Sequence, residues 1–299
     1  MITIAPKNYV GVQSVFHNLE RIGLSKNVYL DDLILPIEDN VLLGGWHDTY
    51  PMIIKHVPKH LTYSFLWTSS IYEAEVMGEM DYLYHIVNNT KPSFVWCGKK
   101  SVSEFLNAMM PDIDINIVHY PYPLYDTHLS NIKKRRNCGL FCPPTPKKNL
   151  STNVAGWIIS NKKKKSKLFT NLPNIRGHDI VYVPWMSNDE YDTLIRTLKI
   201  GLQVDISSSF NYVAYDFLIR GIPCLISPSI ANNMKLDIDD IIVRDIDDAI
   251  ELSDKILNIM SLSKDEYAIL SSKCKDSAVD LHNLNKEILL NEIPKLFEN

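Results

Sequence analysis

From Ser207 to Ser227 the chain reads "SSSFNYVAYDFLIRGIPCLIS": a polar turn, an apolar helix carrying one carboxylate, then a Gly-x-Pro turn before a short apolar run. A strand ending in "DISSSFN" and a helix starting near Tyr212 present a helix N-terminus at the end of a strand. Backbone N–H groups there, together with the helix dipole, hold phosphate oxygens. Ser208, Ser209, Phe210, Asn211, Tyr212 and Val213 are therefore candidate binding residues. Asp216 lies one turn inside, where a carboxylate can accept hydrogen bonds from a ribose diol. Gly221 is placed to end the helix and Pro223 to block its continuation. The other reading makes Asp216 an exposed helix residue. Its apolar neighbours Val213, Phe217 and Leu218 argue against that, because a carboxylate among them needs a partner.

The cations are unevenly spread. Net charge is −4, yet Thr127 to His178 holds twelve Lys or Arg and no Asp or Glu, and the balance reverses from Asp237 to Glu251. Ligands of open α/β sheets sit at the carboxyl ends of the strands. "TPKKN" follows the strand "CGLFCPP", so Lys147 and Lys148 are candidates for holding a diphosphate. "NKKKKSK" is expected to follow a strand "AGWIIS" and so to lie at the rim of the same site. "KKRR" at 133–136 precedes its strand and belongs at the opposite end or at a hinge. The plain alternative for 162–165 is a solvated lysine surface.

In the first half, Gly11 follows the first strand, where a glycine lets backbone approach phosphates. His47 and Asp48 in "GGWHDTY" follow a strand end and are candidates for an acceptor or sugar contact, against an ordinary surface turn. Ser69, Ser70 and Glu73 have the types that cap a helix, and Thr68 and Ser69 are also candidates on the acceptor side. Trp46, Trp67 and Trp96 each lie near a strand end, with packing the default for such rings. Five scattered cysteines, of which only Cys138 and Cys142 are close, predict reduced buried thiols and no metal.

These residues are carried on alternating strands and helices, which predict open parallel sheets. At 299 residues the chain is long enough for two domains. The expected architecture is α/β, two doubly wound Rossmann-like domains facing a cleft. Residues 1–130 form the first, 131–285 the second, and 286–299 a C-terminal helix crossing back to the first. "SSIYEAEVMGEMDYLYHIV" is expected as one helix, and Ser187 with Glu190 as a capping box. A composition 45% hydrophobic and 22% charged is that of a soluble globular protein. No apolar run is long enough to span a bilayer, and "MITIAPKNYV" lacks the pattern of an export signal. The expected location is the cytoplasm, or the host cytoplasm for a viral chain.

"GLQVDISSSFNYVAYDFLIRGIPCLIS" resembles the nucleotide-sugar motif of retaining glycosyltransferases of the GT-B fold, the group often called family 4. Their pattern is Glu, seven residues, Glu, then five residues on a Gly-x-Pro. Asp216 stands at the second acidic position and Gly221-Ile222-Pro223 matches; Ser208 occupies the first, and Asn211 replaces a turn glycine. "GLFCPPTPKKN" is similar to the family's Lys-Asn turn, with Lys148 at the Lys and Leu140 where an Arg is common. "HDIVYVPWMSNDEYDTLIRTLKIGLQV" resembles the segment preceding the motif. "FLWTSSIYEAE" resembles the strand end that faces the acceptor, with Thr68 where the family often has His.

The resemblance implies transfer of a sugar from a nucleoside diphosphate sugar, with retention and with no metal or other cofactor. Lys148 or Lys147 would then stabilise the charge growing on the leaving diphosphate. The acceptor would be a glycan, a lipid-linked or a protein acceptor. One alternative is a DNA-modifying enzyme acting on hydroxymethylated bases of phage-type DNA, supported by the acid-free basic stretch. A second is a non-catalytic nucleotide-sugar or glycan binding protein, supported by Ser208 at an acidic position.

Overall fold

The computed structural model describes residues 1–45, 47–76, 78–111, 116–124, 137–184, 186–208 and 210–297. Contacts divide the chain into two compact units, Met1–Tyr125 with His282–Asn299, and Asp126–Leu281.

In the first unit the strands are β1 (Ile2–Ala5), β2 (Lys26–Tyr29), β3 (Val41–Gly44), β4 (Tyr63–Trp67), β5 (Phe94–Cys97) and β6 (Asn116–His119). They form one parallel sheet in the order β2-β1-β3-β4-β5-β6. Strand order reverses at β1, so a crevice opens beyond the carboxyl ends of β1 and β3. Buried Val12, Val15, Phe16 and Leu19 line one face of helix α1 (Val10–Arg21). A Cβ on Gly44 would come 2.2 Å from Val12 Cγ1, so α1 packs directly on the end of β3. The short helix α2 (Tyr50–Lys55) sends the Tyr50 hydroxyl inward, donating to the Gly44 carbonyl at 2.8 Å and the Ile4 carbonyl at 3.3 Å. That buried phenol ties together the two strands flanking the crevice.

The helix expected over 69–87 is two helices, α3 (Ile71–Val76) and α4 (Glu79–Thr90). Gly78, with φ +66°, stands between them in the left-handed conformation that breaks a helix. Ser70 and Glu73 cap α3 reciprocally, the Ser70 amide donating to Glu73 Oε2 at 3.0 Å and the Glu73 amide to Ser70 Oγ at 3.3 Å. The remaining helix of this stretch is α5 (Lys100–Met109).

The second unit holds β7 (Asn137–Leu140), β8 (Leu168–Thr170), β9 (Ile180–Tyr182), β10 (Leu198–Gln203) and β11 (Cys224–Ile226). Their parallel order is β11-β10-β7-β8-β9, with the reversal between β7 and β10. Between them run helices α6 (Leu150–Asn161), α7 (Asn188–Ile195) and α8 (Tyr212–Ile219). Helix α9 (Pro228–Asn233), α10 (Ala249–Ser261) and the long α11 (Lys264–Glu292) follow. Glycines let α8 lie close on the sheet: a Cβ on Gly201 would be 2.7 Å from the Phe217 ring, and one on Gly139 would be 2.9 Å from it. Gly221 ends α8 with φ +65°, its carbonyl accepting from Ser271 Oγ. Ser187 and Glu190 form the expected capping box on α7.

One expectation is overturned. "AGWIIS" is not a strand but part of α6, and the strand of this region is β8, three residues long. Lys162–Lys165 therefore lie in the exposed turn that leads from α6 into β8, at the amino end of the parallel sheet. They are on the opposite edge from the loops that follow β7 and β10. The "KKRR" group at 133–136 lies outside the described residues.

Candidate functional site

The second unit gathers its polar residues at the switch point. The loop after β7 ends in a turn of 3-10 helix over Pro146–Lys148, and Asn149, with φ +48°, starts α6. The loop after β10 runs from Val204 to Asn211. The Ile206 amide donates to the Lys147 carbonyl at 2.8 Å, stitching the two loops together. Asn153 braces the same junction from α6. Its Nδ2 donates to the carbonyls of Asn149 and Lys148, and its Oδ1 accepts from the Val204 amide.

Across this junction Lys148 Nζ donates to Asp205 Oδ2 at 2.5 Å. Both residues are buried. Sequence reasoning found Lys148 but missed Asp205, which sits just beyond the end of β10. Burial pushes the Asp205 carboxyl up, while Lys148 and the Asn211 amide pull it down. Lys148 is thus a fixed cation with its charge balanced by a neighbour. Lys147 is half-buried beside it.

Asn211 links this pair to α8. Its Nδ2 donates to Asp205 Oδ2 at 2.9 Å and to Gln203 Oε1 at 3.0 Å, while its Oδ1 accepts from the Ala214 amide at 2.9 Å as the N-cap. The cap takes the Ala214 amide, and the amides of Tyr212 and Val213 precede it in the first turn. Ser208 is buried, its carbonyl accepting from Asn233 Nδ2. Phe210 and Tyr212 pack edge to face at 4.9 Å. Ser209 lies outside the described residues.

Asp216 is buried rather than exposed, on the inner face of α8. Its partner is Arg220, one turn on, whose Nη1 lies 3.6 Å from Asp216 Oδ1 and donates to the Asp216 carbonyl at 2.7 Å. Arg220 Nε in turn donates to Asp192 Oδ1 of α7 at 2.7 Å. At 3.6 Å the side-chain contact is an ion pair without a hydrogen bond, and Asp216 Oδ1 is a buried acceptor left unused. Burial raises the Asp216 carboxyl to about 7, with Arg220 opposing it.

The first unit has a separate cavity of about 600 Å³. It is lined at the carboxyl end of β1 by Tyr9 and Gly11, beyond β3 by Gly45, His47 and Asp48, and beyond β4 by Thr68 and Ser69. Glu79 and Tyr82 of α4 close another side. The expected residues Gly11, His47, Asp48, Thr68 and Ser69 are thus brought together in one pocket. Gly11 is not in a loop but in the first turn of α1, and a Cβ there would meet nothing within 4 Å. Gly45 has φ +67°, and the Tyr9 ring lies 3.1 Å from where its Cβ would be. His47 Nδ1 is held 2.9 Å from Thr49 Oγ1. Trp67 also lines the cavity, whereas Trp96 is fully buried and donates to the Tyr120 carbonyl at 2.8 Å; Trp46 lies outside the described residues. Burial, then Asp48 and Glu79, raise the Tyr9 phenol.

All five cysteines are buried free thiols. Among the described residues no group of three His, Cys, Asp or Glu could hold a metal ion, and no helix is long and apolar enough to cross a membrane.

No protein-family model matches the chain, and no curated protein matches it. Solved structures do. TarM of S. aureus, in complex with fondaparinux, alpha-GlcNAc-glycerol and UDP, is 12% identical with a TM-score of 0.71, over 88% of this chain and 57% of TarM. The pneumococcal O-GlcNAc transferase GtfA, in complex with UDP and GlcNAc, is 11% identical with a TM-score of 0.68, over 87% of this chain and 58% of GtfA. A trehalose-6-phosphate synthase is 9% identical with a TM-score of 0.69, over 98% of both chains. The chain spans a little over half the length of TarM and GtfA. At these identities the likeness establishes the fold: two α/β units, each on a parallel sheet, in the GT-B architecture.

Proposed function

We propose that this protein is a glycosyltransferase that moves a sugar from a nucleoside diphosphate sugar to an acceptor, with retention and without a metal. The second unit holds the donor. The observation that carries this reading is the Lys148–Asp205–Asn211 network at the β7/β10 switch point, beside the N-terminus of α8. A cation and a helix N-terminus converge there, the two features that stabilise a diphosphate as it leaves. Lys148 is the catalytic residue of this reading, with Lys147 next to it; Ser208, Ser209, Phe210, Tyr212 and Val213 shape the donor site. Asp216 keeps about 10% of its side chain exposed, and a ribose hydroxyl would have to reach that part, because Oδ1 is covered by protein. Gly11, in the first turn of α1, lines the cavity of the first unit.

The GT-B neighbours support the same chemistry, since TarM and GtfA were solved with UDP and a trehalose-phosphate synthase forms UDP. The protein is expected to act in the cytoplasm. The DNA-modifying alternative loses one of its supports, the run at 162–165, because these lysines lie at the amino end of the sheet. Incubating the full chain with UDP-, GDP- and TDP-sugars and following nucleoside diphosphate release tests the reading. Release from at least one donor is expected. Tight donor binding with no release from any of them would instead make the protein a binding module.

A further inference from the structure

We propose that the cavity of the first unit selects an uncharged polyhydroxyl acceptor, a sugar bearing no phosphate or carboxylate. This deepens the glycosyltransferase reading and rests on it for the word acceptor, but the binding preference stands on the cavity alone.

The described residues lining the cavity include no Lys and no Arg, while Asp48 and Glu79 bring two carboxylates to it. The two acids come from separate elements, Asp48 from the loop after β3 and Glu79 from the first residue of α4. Both act on the same phenol, Tyr9, which stands between the ends of β1 and β3. The charged side chains among the described lining residues are therefore both acidic. A phosphate adds one to two further negative charges, which these two carboxylates repel.

The rest of the lining suits a sugar. Carboxylates accept hydrogen bonds from hydroxyls, and His47, Thr68 and Ser69 add further polar groups. Tyr9, Trp67 and Tyr82 supply rings with an apolar body and a polar edge. The Trp67 indole N–H is buried with no partner. An apolar, aromatic wall with a few convergent polar groups is the usual form of a small-molecule site. The volume of about 600 Å³ holds one or two sugar rings.

The experiment uses the full chain and an array of neutral mono- and disaccharide glycosides, each paired with its phosphorylated counterpart, with binding read by saturation-transfer NMR and calorimetry. Neutral members are expected to bind, and each phosphorylated partner to bind at least about tenfold more weakly. The double variant D48N/E79Q should narrow that gap to about threefold or less. Both side chains reach solvent, so the fold should persist; D48N alone, at an exposed position, should narrow the gap in part. Phosphorylated probes that bind as well as neutral ones, an array in which no neutral glycoside binds, or an unchanged gap in D48N/E79Q would each overturn the inference. Donor cleavage is followed on the same sample. Cleavage with a preference for phosphorylated probes defeats the acceptor class alone. Neutral glycosides bound with no donor cleaved defeats glycosyl transfer and leaves the binding class standing.

Discussion

Lys148 Nζ meets Asp205 Oδ2 across the two loops that flank the β7/β10 switch point, and both side chains are buried there. The pair fixes a positive charge where a diphosphate would leave and at the same time keeps that charge from being isolated in the unliganded protein.

Removing one partner should therefore be costly. Lys148→Ala leaves the Asp205 carboxylate buried with its Asn211 hydrogen bond but without its ion-pair partner, and should lower stability by about 3–5 kcal/mol in urea denaturation. Lys148→Ala combined with Asp205→Leu should cost clearly less than the sum of the two single changes. An additive cycle would mean that the pair is not coupled.

Asp216 gives stability a pH dependence with a defined sign. Its carboxyl is raised from 3.8 to about 7 by burial. The native chain holds this proton more tightly than the unfolded chain. The contribution is thus fully present below the ordinary carboxylate value and is lost as pH rises through about 7. Asp216→Asn should flatten that slope, matching the parent near pH 4 and exceeding it by up to about 4 kcal/mol above pH 7. Thermal melts across this range check it; parallel curves for the two proteins would contradict it.

The same residue separates structure from binding. Above pH 7, where the carboxyl is ionised, Asp216→Ala should weaken nucleoside diphosphate binding by about 1.5–3 kcal/mol, the worth of a hydrogen bond to a charged group. Unchanged affinity in calorimetry would confine Asp216 to its ion pair with Arg220.

Charge reversal of Lys162, Lys163, Lys164 and Lys165 to Glu should leave both donor cleavage and the binding of neutral glycosides as they are. The four residues stand on the amino edge of the second sheet. A tenfold or greater loss of either activity would show that this turn belongs to the site after all.

The sequence announces β10, α8 and the Gly221 turn clearly, because an apolar run, a polar turn and a left-handed glycine occur in the order in which each acts. It misleads at α6. The run Val154-Ala155-Gly156-Trp157-Ile158-Ile159 is apolar on successive residues and so lacks a helical stripe, while the true strand β8 is only three residues long. That exchange moved the lysine run to the wrong end of the sheet. Gly78 is visible in "VMGEMD", but only its backbone angle shows that it separates two helices. The Lys148–Asp205 pair spans 57 residues of chain, and no local pattern could join its members. The five residues gathered in the cavity of the first unit were legible singly, from their places after strand ends. Their grouping required the strand order, which places β1, β3 and β4 side by side.

The central claim is that the switch point of the second unit holds the donor diphosphate. Amide hydrogen exchange of the full chain, followed by mass spectrometry with and without UDP, GDP or TDP, tests it without any substitution. The account predicts that at least one of them protects the segments 141–149 and 204–216, spanning Lys148, Asp205 and the first turn of α8. No protection in these segments with any of the three, or protection found only in the first unit, would contradict it.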